Sequence, residues 1–224
     1  MTPKTSSWHE ATAPLWRHNM ALAQLLGLCP LLAVTTTVVN GLALGLASAA
    51  VVIVASTTMA ALQRALKPAA RLPIALLILA GLVTVVDLFT AAVFYDLHGA
   101  LGIFLPLIVV NSGLLAHAEN VASRRSVAFT FLSALATGLG FLLAFLVLGA
   151  VRELVGHGSL LAGIELLAGE GYRGLTLELP YGGMLVAILP PGAFFGMGVL
   201  LALRNRLATR KAAGDERITA GKPR

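Results

Sequence analysis

The chain has 224 residues, 58% apolar and only 12% charged, where soluble domains run to roughly half apolar and a quarter charged. That excess excludes a water-soluble globular domain, a disordered chain and a collagen-like repeat. The formal net charge of +6 does not indicate nucleic acid, because Lys and Arg gather at the ends of apolar runs rather than along one polar helix face.

In chain order, residues 1–20 mix charge, His and Pro without the short apolar core and cleavage site of a signal peptide, which predicts a retained cytoplasmic segment. Apolar runs then predict membrane helices over 21–39, 41–62, 72–95, 97–118, 127–151 and 184–203. At roughly 20 residues per crossing, such a chain suits six spans with short connections. A tight turn is expected at Asn40–Gly41, an outer loop over 152–183, and a polar, basic, mobile tail over 204–224. Of the 16 Lys and Arg residues, only Arg152 and Arg173 fall on the side away from the termini, which predicts that both termini are cytoplasmic.

The first and fourth spans share a short pattern. Leu28-Cys29-Pro30-Leu31-Leu32-Ala33-Val34-Thr35-Thr36 aligns with Phe104-Leu105-Pro106-Leu107-Ile108-Val109-Val110-Asn111-Ser112. The chain thus divides into halves of three spans each, an odd number, so the repeats, about 21–95 and 97–203, would lie in opposite orientations. Interrupted helices at matching places in inverted halves point to a functional centre near the membrane midplane. Proline is expected to make each interruption, since it removes one backbone donor and clashes with the preceding turn. Ordinary proline kinks repaired by Ser and Thr hydroxyls are the simpler alternative.

Few residues have chemistry to offer. Cys29, the single cysteine, precedes Pro30 at the expected break, either as a thiolate near freed backbone donors or as a small apolar filler. A lone thiolate cannot hold an iron–sulfur cluster by itself. Asp87 lies inside the third predicted span, where a charge costs roughly 2.5–3.5 kcal/mol, so it is either a cation or proton site or a packing hydrogen bond. His117 and Glu119 end the fourth span and read as interfacial. The five histidines form no metal-binding pair. Gly41-x-x-x-Gly45 and Gly192-x-x-x-Gly196 permit close helix approach.

Four stretches in order, 24–35 (QLLGLCPLLAVT), 101–109 (LGIFLPLIV), 152–156 (RELVG) and 189–194 (LPPGAF), resemble the NqrD/RnfE family. Its members are integral subunits of the Rnf electron transport complex and of the sodium-pumping NADH:quinone reductase. The resemblance implies an all-α membrane protein of six helices in two inverted three-helix repeats, with broken first and fourth helices. It also implies pairing with a homologous RnfA-like subunit, the two sharing one intramembrane [2Fe–2S] cluster with two cysteines from each. Cys29 would then be a cluster ligand. The second family cysteine follows Asn, and here that motif reads Asn111-Ser112, so Ser112 stands where the other thiolate is expected. Serine is a harder ligand and would lower the reduction potential. Pro30, Thr35, Pro106 and Asn111 would support the broken helices, with Thr36 beside them.

The function implied is a subunit that relays electrons while its complex moves Na+ or H+ across a bacterial inner membrane, with RnfB, RnfC, RnfD and RnfG as further partners and lipid around it. Asp87 is the candidate for the cation route. The rival is a secondary transporter or channel of the same inverted architecture, with no redox centre. A purely scaffolding role is a third reading.

Overall fold

The computed structural model describes residues 27–63, 65–121, 126–164, 177–178 and 182–220. The segment 1–20 and the first part of the first predicted span lie outside them. Helices follow as α1 (Leu28–Val34), α2 (Val38–Leu62), α3 (Arg71–Val93), α4 (Tyr95–Leu101), α5 (Ser112–Ala116), α6 (Val127–Gly156), α7 (Leu185–Ile188) and α8 (Pro190–Ala220). A 3-10 turn at Leu105–Ile108 stands between α4 and α5, and a π-helical turn, His117–Val121, extends α5.

Among the described residues, three helices are long and apolar enough to cross a bilayer: Val38–Leu62, Pro68–Val93 and Val127–Gly156. A fourth crossing results if Tyr95–Leu101 and Leu105–Glu119, bent by 62° at their junction, count as one span. At about 1.5 Å per residue, α2 extends roughly 37 Å, more than the hydrocarbon thickness of about 30 Å. The apolar part of α8, Pro190–Leu203, is shorter.

The centre of the bundle is the pair α2 and α6. Backbone contacts fix their relation: a Cβ on Gly41 would meet the Phe145 carbonyl at 2.9 Å, one on Gly138 would meet Ala49 at 3.0 Å, and one on Gly149 would meet the Thr37 carbonyl at 3.0 Å. As the position on α2 rises, its partner on α6 falls, so the two helices run antiparallel along a seam of small residues. The Gly41-x-x-x-Gly45 expectation is met here, since Gly45 lies against Leu142. Leu44, Val51, Val52, Phe141, Phe145 and Leu148 fill the core beside the seam, with the two phenylalanine rings edge to face at 5.0 Å between centroids. By contrast α3 turns Leu77, Val85 and Leu88 outward, each more than 60% exposed. An apolar face of that kind belongs against lipid or another membrane subunit.

Four expectations require correction. No turn forms at Asn40–Gly41: both residues lie inside α2, and the turn falls at Thr35–Thr37, where the Thr37 hydroxyl accepts from the Asn40 amide and caps the helix. Pro30 and Pro106 do not bend helices. Pro30 is the third residue of α1 and Pro106 the second of the 3-10 turn, and neither position needs an amide hydrogen. Gly27, with φ +74°, precedes α1, and the 62° bend between Tyr95–Leu101 and Leu105–Glu119 falls at residues 102–104. The fifth span runs on to Gly156, so Arg152 and Glu153 belong to a helix and not to a loop. Finally, the helix that starts at Pro190 continues to Ala220 through most of the expected tail, and a further break, with Leu189 in extended backbone, separates it from α7.

Candidate functional site

The start of α1 meets the cap of α5. Gly27, left-handed at the start of α1, leaves room that the side chain of Asn111 occupies: a Cβ there would lie 2.7 Å from Asn111 Cγ. Only glycine has both the conformational freedom and the absent side chain for this contact. Asn111 is in turn fixed by capping α5, its Oδ1 accepting from the amides of Gly113 (3.0 Å) and Leu114 (3.4 Å). Its Nδ2 is buried with no hydrogen-bond partner among the described residues. Because the capping bonds assign the oxygen, the unpaired atom is a donor, and a buried donor of this kind calls for an acceptor beyond the described residues.

Cys29 lies two residues after Gly27 and Ser112 one residue after Asn111, and both side chains are exposed. The reading of Cys29 as buried filler fails on this point. No group of three or more His, Cys, Asp or Glu side chains that could hold a metal occurs among the described residues. One exposed thiol and one exposed hydroxyl thus flank the contact between Gly27 and Asn111.

The far end of α1 is held by a residue that hydropathy alone assigns to a loop. Arg152, 2% exposed, donates from Nη1 to the Leu32 carbonyl at 3.0 Å and to Thr35 Oγ1 at 2.9 Å. Nη2 donates to the Ile188 carbonyl at 2.6 Å and Nε to the Ala187 carbonyl at 3.2 Å. These carbonyls lack helical partners because α1 stops at Val34 and α7 at Ile188. Thr35 also donates its hydroxyl hydrogen to the Leu31 carbonyl at 2.6 Å.

Glu153, fully buried, accepts from the Val38 amide at 2.7 Å, the first amide of α2, and from the Ala162 amide at 2.6 Å. A carboxylate at a helix N-terminus is favoured both by the free amides and by the helix dipole. Two adjacent residues thus fasten four segments. In the sequence only the motif RELVG hints at them, and it gives no sign that charged groups would be buried.

Two further polar groups lie elsewhere. Asp87 Oδ1 is 3.0 Å from His98 Nε2, across the bend between α3 and α4, and both side chains are about one third exposed. His117 is buried, with Nδ1 at 3.4 Å from Thr137 Oγ1 and Nε2 unpaired among the described residues.

Comparison with known proteins places these features in a family. The family described as "Rnf-Nqr subunit, membrane protein" matches residues 7–201. The chain is 45% identical over 197 residues to the E-type subunit of the ion-translocating oxidoreductase complex of Thioalkalivibrio sulfidiphilus, covering 87% of this chain and 86% of that one. It is 47% identical over 201 residues to the protein of the same name from Pseudoalteromonas atlantica, with 88% and 85% covered. Against the one from Shewanella piezotolerans it is 48% identical over 193 residues, with 85% and 84% covered.

Proposed function

The chain belongs to the Rnf-Nqr family of membrane subunits, and on that premise we propose that it is the E-type subunit of an ion-translocating oxidoreductase complex in a bacterial inner membrane. In this reading it has six spans in two inverted repeats and both termini in the cytoplasm. It meets an RnfA-like homologue at the Gly27–Asn111 junction and works alongside RnfB-, RnfC-, RnfD- and RnfG-type subunits. The single observation that carries it is the exposed thiol of Cys29 beside the contact between the start of α1 and the Asn111 cap of α5. As one subunit of a larger oxidoreductase, the chain alone has no turnover.

Cys29, with Ser112 in the place of a second thiolate, would hold this chain's share of a [2Fe–2S] cluster. Such a group supplies one-electron transfer when bound. The chain's own part is positional: α1 aims the thiol outward, the Asn111 cap aims Ser112 outward, and the Asn111 Nδ2 donor is free to hydrogen-bond a sulfur and stabilise added negative charge. Thr35 and the Arg152 guanidinium close the backbone that the break exposes.

The test is the electron paramagnetic resonance spectrum of the purified complex. Cys29→Ala should abolish the intramembrane [2Fe–2S] signal while the complex still assembles; a signal that survives the change excludes Cys29 as a ligand. If the intact complex has no such cluster and the chain alone takes up solute in vesicles, the transporter or channel reading replaces this one; the serine at position 112 favours that reading. Asp87 is proposed for the cation route, with His98 as its hydrogen-bond partner. Asp87→Asn should lower ion pumping several-fold in proteoliposomes; unchanged pumping removes Asp87 from the route.

A further inference from the structure

The half-helix that carries Cys29 is pinned at both ends. At its start Gly27 is pressed on Asn111, and at its end Leu32 and Thr35 are held by Arg152. The same guanidinium holds Ala187 and Ile188 at the end of α7, ahead of the Leu189–Pro190 break, and the next residue, Glu153, holds the first amide of α2. A surface arginine has no reason to be this buried, and a buried one needs its donors met. Here they are met by backbone carbonyls that two helix breaks release and by a hydroxyl in one of those breaks, not by a carboxylate.

We propose that Arg152 and Glu153 are positioning residues for Cys29: as one clamp on α6 they tie the thiol-bearing half-helix to the start of α2 and to the break before α8, and their charges bias the redox centre at the thiol in opposite directions. The guanidinium stands at Leu32, three residues or about 4.5 Å of helix rise beyond Cys29. Its positive charge stabilises the reduced, more negative form. The Glu153 carboxylate binds at Val38, farther along the chain, and favours the oxidised form more weakly. The mechanical part stands on the hydrogen bonds alone, whereas the redox part rests on the cluster reading given above.

Because Cys29 is the single cysteine, a nitroxide attached to it in the full chain in detergent reports on α1 without further substitution. The unaltered chain should give a broad, immobilised spectrum, and Arg152→Gln a narrowed one, while Arg152→Lys, which keeps the charge but not the fork, falls between. A label moved to the exposed face of α2, in Leu46→Cys with Cys29→Ser, should not respond to Arg152→Gln. An unchanged spectrum at position 29 overturns the clamp. If both positions become mobile, the variant has lost its fold and Thr35→Val decides: narrowing at Cys29 alone supports the clamp, and no narrowing overturns it.

In the assembled complex the cluster's midpoint potential should shift negative in Arg152→Gln and, by less, positive in Glu153→Gln. Shifts of the same sign in both would overturn the electrostatic part, since simple loosening of the fold does not distinguish the two charges. A complex without a cluster would refute the redox reading and its electrostatic corollary, leaving the nitroxide result to judge the clamp.

Discussion

The two interruptions are built differently. The first, at Thr35–Thr37, is fastened from outside: charged side chains of a distant helix bind its released carbonyls and the first amide of the helix that follows. The second, from Gly102 to Ser112, closes on itself. Short turns carry the chain around, with Leu107 bonded to Phe104 and Val109 to Pro106, and Asn111 caps its own helix. The element with the thiol thus depends on long-range contacts, and the element with the serine depends on neighbours in sequence. A matching sequence pattern does not guarantee a matching way of holding the backbone.

The sharpest way to break that contrast is to remove the outside fastening. Glu153→Leu leaves the partly buried amides of Val38 and Ala162 without their carboxylate partner. With about 1–3 kcal/mol for a fully buried orphaned donor as the upper bound, destabilisation should be about 1–3 kcal/mol for the pair in thermal unfolding followed by circular dichroism. Gly27→Ala acts where the start of α1 meets the cap of α5. It forces a left-handed side-chain residue, about 1–2 kcal/mol by itself, and displaces Asn111 as well. The smallest effect is expected from Asn111→Ala, where loss of a self-contained cap costs about 1 kcal/mol. Combining it with Gly27→Ala should cost less than the two separate losses together, because the space that the new methyl needs has been vacated. Strict additivity in that double variant would mean that the junction is not the contact described.

Much of the fold is legible in the sequence because a bilayer admits few solutions: apolar runs locate α2, α3 and α6 to within a few residues, and the Gly41–Gly45 spacing marks a real seam. The breaks are legible neither in number nor in mechanism, since a further one lies at Leu189. Pro30 and Pro106 have the look of bending residues, yet a proline in the first turn of a helix costs nothing, and the left-handed backbone belongs to Gly27 while the bend falls across residues 102–104. Thr35–Thr37 escapes notice as a turn because threonines inside an apolar run read as helix, while Asn40–Gly41 has the residues of a turn and lies in a helix held by packing. Arg152 and Glu153 read as loop because local hydropathy penalises charge. Their partners, at Leu32, Thr35, Val38, Ala162, Ala187 and Ile188, come together only in three dimensions. The pair Cys29 and Ser112 emerges from family resemblance, and their nearness in space rests on one contact, Gly27 against Asn111, that no spacing rule announces.

The glycine seam between α2 and α6 has a consequence beyond close packing. Gly149 rests on Thr37 and Val38, one turn along α6 from Glu153, so the same approach that lets backbones touch also sets how far the carboxylate must reach. A single added methyl at Gly149 would wedge the two helices apart at the very end where the thiol-bearing segment is anchored. The smallest side chain in the bundle thereby acts as the gauge that keeps its largest charged groups in register.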